Sequence, residues 1–349
     1  MENKQCICPV CGAVIPDANS LSCPVCGCPG ACYTLFSGES AYKMWLATID
    51  RFRKDRLAHL YAASRAGGSS LHVTGDRLCF YNGPAHTAVM ACFQDGQPTT
   101  MQHVAQVSLS GLHRVWVYDD GTPASSGDDG CGQRNLSDLQ GVRAVATASN
   151  CTYAVLSDGS VVARGDSPFA EIVAQWRDIR ALAATPLHIV GLRNDGTVVH
   201  AAAHNSPFRA YAAVMDGWKQ VQAIATGDQY TLALHTDGTV SYAGAQDERA
   251  AAGSWTNMVA IAADGQYAVG LTREGDVLLA GKESVFIDFG RKAARQWKNM
   301  AFIAAGRSVI AGLGQDGEVK LVGNLFKADD FEDRFSTAVY ESLTKTHNP

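Results

Sequence analysis

The stretch WKQVQAIATGDQYTLALHTDGTVSYAG, residues 218–244, decides the fold. Two apolar, alternating runs flank Asp237-Gly238, and a shorter run, VQAIA, precedes them. Asp-Gly between alternating runs is a strong signal for a tight β-hairpin, because glycine adopts a positive φ without steric cost. The stretch therefore predicts a small antiparallel sheet.

The same pattern recurs through most of the chain. Close copies begin at residues 176, 255 and 297, and looser copies begin at 101 and 139. Every copy has a turn glycine that follows an acidic residue: Gly121, Gly159, Gly196, Gly238, Gly275 and Gly317. Every copy also begins with a large apolar residue: Met101, Leu139, Trp176, Trp218, Trp255 and Trp297. Self-similarity at a period of about 40 residues is typical of repeat architectures.

Each copy predicts about four short strands, with a run such as residues 208–213 supplying the strand after the hairpin. A single sheet of this size leaves an apolar face in water, whereas copies stacked radially around an axis bury both faces. The sequence therefore predicts an all-β, seven-bladed β-propeller, with six blades as the alternative.

The ends of the repeat region are less regular. Residues 69–100 contain Phe93-Gln-Asp-Gly96, but Asp76 stands where the other copies begin with a large apolar residue. We interpret them as a degenerate first blade, or as strands that pair with the last blade. Residues 324–349 either complete a blade or form a short helix.

Two positions that recur in every copy are expected to have structural roles. The four leading tryptophans are expected to pack between blades rather than to form a binding platform. The acids before the turn glycines are expected to be turn residues rather than catalytic carboxylates, because a residue that merely recurs at a turn has a local explanation.

The repeat resembles that of the regulator of chromosome condensation family, which has a leading Trp, an Ile-Ala-Ala-Gly strand and a Leu-x-x-Asp-Gly turn. The leucine is present at Leu192, Leu234, Leu271 and Leu313 and is replaced at Val117 and Val155. The resemblance covers about residues 69–325 and implies a propeller, with short blades closer to bacterial members such as secreted seven-bladed β-lactamase inhibitors. Members of the family include an exchange factor, enzyme inhibitors and a photoreceptor, so the fold alone assigns no function.

The N-terminal segment carries a metal-binding pattern, C-x2-C-x11-C-x2-C, built from two Cys-Pro-Val-Cys-Gly motifs. Cysteines three apart can place both sulfurs on one ion, and four thiolates in tetrahedral geometry select zinc and leave no open position for a substrate. The segment resembles bacterial zinc ribbons. It predicts a structural Zn2+ bound by Cys8, Cys11, Cys23 and Cys26. Cys6, Cys28 and Cys32 are alternatives for one ligand.

Residues 39–65 predict a connecting amphipathic α-helix, because Tyr42, Trp45, Leu46, Ile49 and Phe52 recur at helical spacing. We interpret the basic run at 51–56 as a solvated helix face. The predicted domains are a zinc ribbon at 1–34, the connecting helix at 35–67 and the propeller at 68–349.

Composition narrows the class of protein. With 46% hydrophobic and 18% charged residues, the chain is typical of globular proteins. No apolar run approaches the length of a membrane span, and the first residues lack the features of a signal peptide. We therefore expect a cytoplasmic protein, and the resemblance to bacterial zinc ribbons and to bacterial members of the propeller family implies a bacterial one. The net charge of −5 disfavours a nucleic-acid partner.

The leading functional hypothesis is a non-enzymatic scaffold that presents propeller loops to a protein partner. The insertions at 166–174, 205–216, 246–254 and 282–296 are the expected contact loops. A nucleic-acid-associated regulator that binds through the zinc ribbon and the basic helix is the alternative. An enzyme that uses the axial pocket is a third hypothesis. Guanine-nucleotide exchange is less favoured, because the family's inserted wedge has no counterpart.

Overall fold

The computed structural model describes residues 68–281, 290–306, 308–325 and 327–345, together with residues 6, 7, 14, 15, 60 and 64. Near the N terminus, β1 (Cys6–Ile7) pairs antiparallel with β2 (Val14–Ile15). The predicted zinc ligands and most of the predicted connecting helix lie outside the described residues. Leu60 and Ser64, the two described residues of that segment, are helical. The proposed boundaries at 34 and 67 therefore stay predictions.

The described chain forms seven antiparallel sheets in sequence order, which are the blades of a β-propeller. Blade 1 has four strands: β3 (Ser70–Val73), β4 (Arg77–Asn82), β5 (Thr87–Cys92) and β6 (Pro98–Gln102). The interpretation of residues 69–100 as a first blade is therefore confirmed, although the blade is complete rather than degenerate and extends to Gln102, and the prediction of seven blades is confirmed.

Blades 2 to 7 have three strands each. Their bounds are β7 (Val104–Leu109), β8 (His113–Tyr118) and β9 (Pro123–Gly127) in blade 2; β10 (Val142–Ala148), β11 (Cys151–Leu156) and β12 (Val161–Gly165) in blade 3; β13 (Ile179–Ala184), β14 (His188–Arg193) and β15 (Val198–Ala202) in blade 4; β16 (Val221–Gly227), β17 (Tyr230–His235) and β18 (Val240–Gly244) in blade 5; β19 (Met258–Ala263), β20 (Tyr267–Thr272) and β21 (Val277–Gly281) in blade 6; and β22 (Met300–Gly306), β23 (Val309–Gly314) and β24 (Val319–Gly323) in blade 7.

The fourth strand predicted for each copy is therefore wrong for blades 2 to 5 and for blade 7; after blade 6, residues 282–289 lie outside the described residues. After four of the blades, short helical segments follow the third strand: α1 (Ala170–Val173) after blade 3, and 3₁₀ helices at Pro207–Ala210, Ala212–Gly217, Glu248–Ser254 and Arg291–Gln296. Phe208, expected in a strand, lies fully buried in one of these 3₁₀ helices. An apolar residue within a short run does not by itself distinguish a strand from a helical turn.

The Asp-Gly turns behave as the sequence predicts. All six turn glycines have positive φ, for example 84° at Gly238. The Asp237 carboxylate accepts a hydrogen bond from the backbone N–H of Thr239 at 2.9 Å, and four of the other five acids make the equivalent bond. Glu274 is the exception and accepts from the side chain of Asn257. The acids are therefore turn residues.

The same glycines join one blade to the next. The N–H of Val221 at the start of blade 5 donates to the carbonyl of Gly196 in blade 4 at 3.0 Å. Equivalent bonds link Val142 to Gly121, Ile179 to Gly159, Met258 to Gly238 and Met300 to Gly275. A Cβ on Gly159 would lie 2.9 Å from the Cα of Asp178. The turn therefore needs glycine both for its φ angle and for the close approach of the next blade.

The leading tryptophans lie in apolar clusters that span two blades, which confirms the prediction that they pack between blades. Trp176, for example, clusters with Tyr153 of blade 3 and Ile189 of blade 4. Within its own blade it covers Gly191, where a Cβ would lie 2.9 Å from the indole ring. The same arrangement, a large leading residue over a small residue of the second strand, recurs in later blades: Trp255 covers Gly270, and Trp297 covers Gly312.

The ring closes between blades 7 and 1 through one apolar cluster that includes Leu71 and Leu313. Phe80 and Phe302 meet edge to face, with ring centroids 5.3 Å apart. The C-terminal segment forms α2 (Phe331–Lys345), which confirms the helix alternative for residues 324–349.

Helix α2 packs on blade 1 and on β24 of blade 7. The rings of Phe331 and Phe93 lie 4.9 Å apart, and Phe335 is fully buried in the closure cluster. The hydroxyls of Ser342 and Thr87 lie 2.7 Å apart and share a hydrogen bond. The helix therefore bridges the first and last blades.

The Trp176–Gly191 pair tests whether a large leading residue requires a small residue beneath it on the second strand of its blade. We expect Gly191→Ala to destabilise the fold by about 1–3 kcal/mol, because the new Cβ overlaps the indole ring. Adding Trp176→Leu should restore part of the loss, because blade 3 naturally combines Leu139 with Ala154. Denaturant unfolding measures both, with Gly217→Ala, which places a Cβ in open space, as the control. Equal stability of Gly191→Ala and the wild type would contradict the rule.

Helix α2 provides a second test, because it bridges the first and last blades. Phe335→Ala removes a fully buried ring and should cost about 3–5 kcal/mol. Thr337→Ala on the exposed face of the same helix should change stability by less than about 0.5 kcal/mol. Thermal or urea unfolding compares the two, and similar small losses would show that α2 does not hold the ring closed.

Candidate functional site

The turns between the first and second strands of all seven blades converge at one end of the propeller axis. They enclose a cavity of about 760 Å³, which we call the mouth. Its wall is drawn from each of these turns: residues 75–76, 110–112, 148–149, 184–186, 226–228, 263–266, and 306 with 308. Gln94, Asn324 and Leu325 complete it. The mouth is thus the place where every blade contributes to one concave surface.

The wall combines hydroxyl groups, backbone of turn glycines and three carboxylates. Asp76 lies 3.2 Å from the Arg77 guanidinium and is half-exposed. Asp228 is exposed and lies over Gly265, where a Cβ would meet its carboxylate at 2.5 Å. The mouth therefore offers many acceptors from fixed turns to an incoming group.

Asp264 is part of the framework of the mouth. It is almost fully buried and accepts hydrogen bonds from the N–H groups of Gln266 at 2.6 Å and Tyr267 at 2.7 Å. Its other oxygen pairs with the guanidinium of Arg291, which is 1% exposed and stacks over the Tyr267 ring at 5.0 Å. Because a buried charge needs a partner, this ion pair fixes the turn of blade 6.

Two buried histidines support the mouth turns of blades 2 and 4. His188 hydrogen-bonds through Nδ1 with Thr185 at 3.1 Å and through Nε2 with Thr231 of blade 5 at 3.0 Å. His113 makes the equivalent contacts with Ser110 and with Thr152 of blade 3. Burial lowers the pKa of His188 to about 4 and also lowers the pKa of His113. Near pH 7 both imidazole rings are therefore neutral, and each one links two neighbouring blades through its hydrogen bonds.

The predicted contact loops divide into a buried and an exposed part. Phe169 and Phe208 lie beneath their loops and fill the core. Ile172 and Val214 are 45% and 57% exposed on the same two loops, and Leu112 at the mouth is 42% exposed. The loop residues Phe286 and Phe289 lie outside the described residues. Sequence reasoning identified the loops but missed Leu112, whose exposure depends on the turn around it.

The predicted metal ligands, Cys8, Cys11, Cys23 and Cys26, also lie outside the described residues. In the part of the chain that the structure describes, no cluster of three or more His, Cys, Asp or Glu side chains is placed to hold a metal ion. Among the same residues, no helix combines the length and apolar character needed to cross a membrane.

Known structures share the fold at low sequence identity. The CRINKLY WD40 ectodomain of the Arabidopsis thaliana receptor kinase ACR4 has a TM-score of 0.56 and 15% identity, over 74% of this chain and 96% of that one. Prp20p from Saccharomyces cerevisiae has a TM-score of 0.50 and 17% identity, over 74% and 83%. Human WBSCR16 has a TM-score of 0.50 and 14% identity, over 74% and 87%.

No protein-family profile matches the chain, and no curated protein matches it significantly. Prp20 is the yeast RCC1. The propeller fold expected from the repeat is therefore confirmed, whereas the relation to the regulator of chromosome condensation family remains a resemblance.

The buried joint at His188 predicts a dependence of stability on pH. Below pH 6.5 the unfolded chain binds a proton that the folded ring binds only near pH 4, so acidification favours unfolding. This should cost about 2 kcal/mol between pH 6.5 and 5. We expect His188→Gln to show a shallower slope of unfolding free energy against pH than the wild type. His204→Gln, which removes an exposed imidazole, is the control, and equal slopes for all three proteins would contradict the assignment.

Proposed function

We propose that the protein is a non-enzymatic scaffold that binds a protein partner at the mouth of the propeller. The observation that carries the proposal is the 760 Å³ cavity to which all seven blades contribute. Its turns are held by backbone hydrogen bonds and by buried joints such as His188–Thr231. A preformed surface loses little conformational entropy on binding, which favours recognition.

The chemistry of the mouth supports a polypeptide ligand. Carbonyl, hydroxyl and carboxylate groups line it, and the exposed Leu112 offers an apolar contact at its edge. Protein interfaces combine apolar anchors with a polar surround of this kind. Prp20p, one of the similar propellers, has binding properties toward Gsp1p and histones. That property belongs to Prp20p, and we rest the proposal for this chain on the mouth.

We retain the structural Zn2+ as a second proposal. Cys8, Cys11, Cys23 and Cys26 supply four thiolates, the donor set that zinc prefers. The strand pairing of Cys6 with Ile15 and Ile7 with Val14 holds together the chain on both sides of the first Cys-x-x-Cys motif. The ion would fold the segment and would supply no reactive position.

The zinc proposal predicts about one zinc per chain by mass spectrometry of the metal content, because a four-thiolate site is closed around one ion. A Cys8→Ser, Cys11→Ser double variant should lose it. Cys131→Ser, which changes an exposed cysteine of the propeller, should retain it. Zinc-free protein purified without chelators would contradict the assignment.

Site-specific crosslinking tests the partner proposal. A photoreactive amino acid at Leu112 should capture a discrete protein in the source cell, and the adduct should resist nuclease. The same amino acid at Thr236, on the turn at the opposite end of blade 5, is the matched exposed control. Equal capture from both positions, or an adduct that nuclease removes, would contradict binding of a protein at the mouth.

A further inference from the structure

The first strand of each blade lies innermost, and one of its edges faces the propeller axis. Along an antiparallel strand, residues whose N–H and C=O groups bond to the neighbouring strand alternate with residues whose groups point away from it. The N–H of Thr185 donates to the carbonyl of His188 in the next strand at 2.8 Å, so the backbone groups of Ala184 point toward the axis. The same register turns the backbone groups of Thr226 in blade 5 and Ala263 in blade 6 toward the axis. Three consecutive blades therefore each offer one donor and one acceptor there.

These three residues belong to the wall of the mouth. Ala184, Thr226 and Ala263 all line its cavity, and each is half-exposed. None of their backbone N–H and C=O groups makes a hydrogen bond within the described part of the protein. Because the first strands of blades 4, 5 and 6 adjoin one another, the three peptide groups form a continuous set, which we call the axial arc.

Blade 3 shows how the protein satisfies the same edge with its own side chain. Thr147 holds the position equivalent to Ala184, but it is buried, and its N–H donates to the hydroxyl of Ser108 in blade 2 at 3.0 Å. In blades 3, 4 and 5 the position of Ser108 is taken by an alanine, whose methyl group cannot accept a hydrogen bond: Ala146, Ala183 and Ala225. The axial arc is therefore open because these blades lack the serine.

The chemistry around the axial arc selects a neutral ligand that both donates and accepts. The mouth turns of blades 4 to 6, residues 184–186, 226–228 and 263–266, carry two carboxylates and no lysine, arginine or histidine. An anion would lie against carbonyl oxygens and the exposed Asp228 carboxylate, which repel it. A cation would leave the N–H groups of the arc without an acceptor. A peptide group satisfies both kinds of partner.

We propose that the axial arc binds the peptide backbone of an uncharged loop of the protein partner. The carbonyl groups of the loop accept hydrogen bonds from the arc, and its N–H groups donate to the carbonyl groups of the arc, as in the addition of a segment to a sheet edge. The small side chains of Ala184 and Ala263 leave room for a second backbone. This inference rests on the proposed function and names the part of the partner that the mouth recognises.

Nuclear magnetic resonance of backbone amides tests the site on the full-length protein without a partner. The capped peptide acetyl-Gly-Ala-Gly-N-methylamide should shift the amide signals of Ala184, Thr226 and Ala263 saturably. Its fully N-methylated analogue accepts hydrogen bonds but cannot donate them, and it should bind roughly tenfold more weakly or worse. Sodium acetate, at constant ionic strength, should leave the three signals in place.

Serine substitutions that copy blade 2 make the second arm of the test. In the triple variant Ala146→Ser, Ala183→Ser, Ala225→Ser, each new hydroxyl lies beside the arc residue of the next blade, as Ser108 lies beside Thr147. The triple variant should bind the peptide roughly tenfold more weakly or worse, because its own hydroxyls occupy the donors. The single variant Ala183→Ser, at a half-exposed position, should suppress the shift in blade 5 alone, which keeps the site testable if the triple variant does not fold.

Ala202→Ser, on the outermost strand of blade 4, is the matched control and should titrate like the wild type. Arc signals that ignore the peptide would overturn the site, and so would equal responses of the wild type and the serine variants. A response to acetate as strong as that to the peptide would also overturn it, because the ligand would then be an anion. The titration uses no partner, so a flat response removes this site while crosslinking from Leu112 still decides the scaffold proposal.

Discussion

The backbone hydrogen bond from the first strand of one blade to the turn glycine of the blade before it is the constraint on which the propeller depends. Between Val221 and Gly196 it spans 3.0 Å, and the same bond recurs at four further junctions. It fixes the offset between neighbouring sheets, so that each leading side chain meets the cluster that it fills. Blade 1 keeps the bond with a different residue. The N–H of Val104 donates to the carbonyl of His86, which adopts the left-handed φ of 51° that glycine adopts elsewhere.

Much of this architecture could be predicted from the sequence, because a repeated Asp-Gly turn specifies both a hairpin and a period. The number of blades, the turn acids and the packing role of the tryptophans followed from those columns. The missing fourth strands could not be predicted, because short apolar runs such as residues 208–213 suit a buried 3₁₀ helix equally well. For the C-terminal segment the sequence left two alternatives open, completion of a blade or a short helix. It could not decide between them, because Phe331 and Phe335 meet their apolar partners only once blades 1 and 7 lie side by side.

The mouth is a feature that could not be predicted from the sequence. Seven turns that are far apart in sequence become one wall only after the ring closes, so no local motif announces it. The sequence therefore predicts the blades but not the concave surface that they form together.

Hydrogen exchange of individual backbone amides tests the central claim most directly. The amides of Val142, Ile179, Val221, Met258 and Met300 donate across blade junctions rather than within a sheet. We predict that they exchange as slowly as the ladder amides of the adjoining strands, because they open only when neighbouring blades separate. Exchange at the rate of exposed loop amides would show that neighbouring sheets are not joined through their turn glycines and would contradict the central claim.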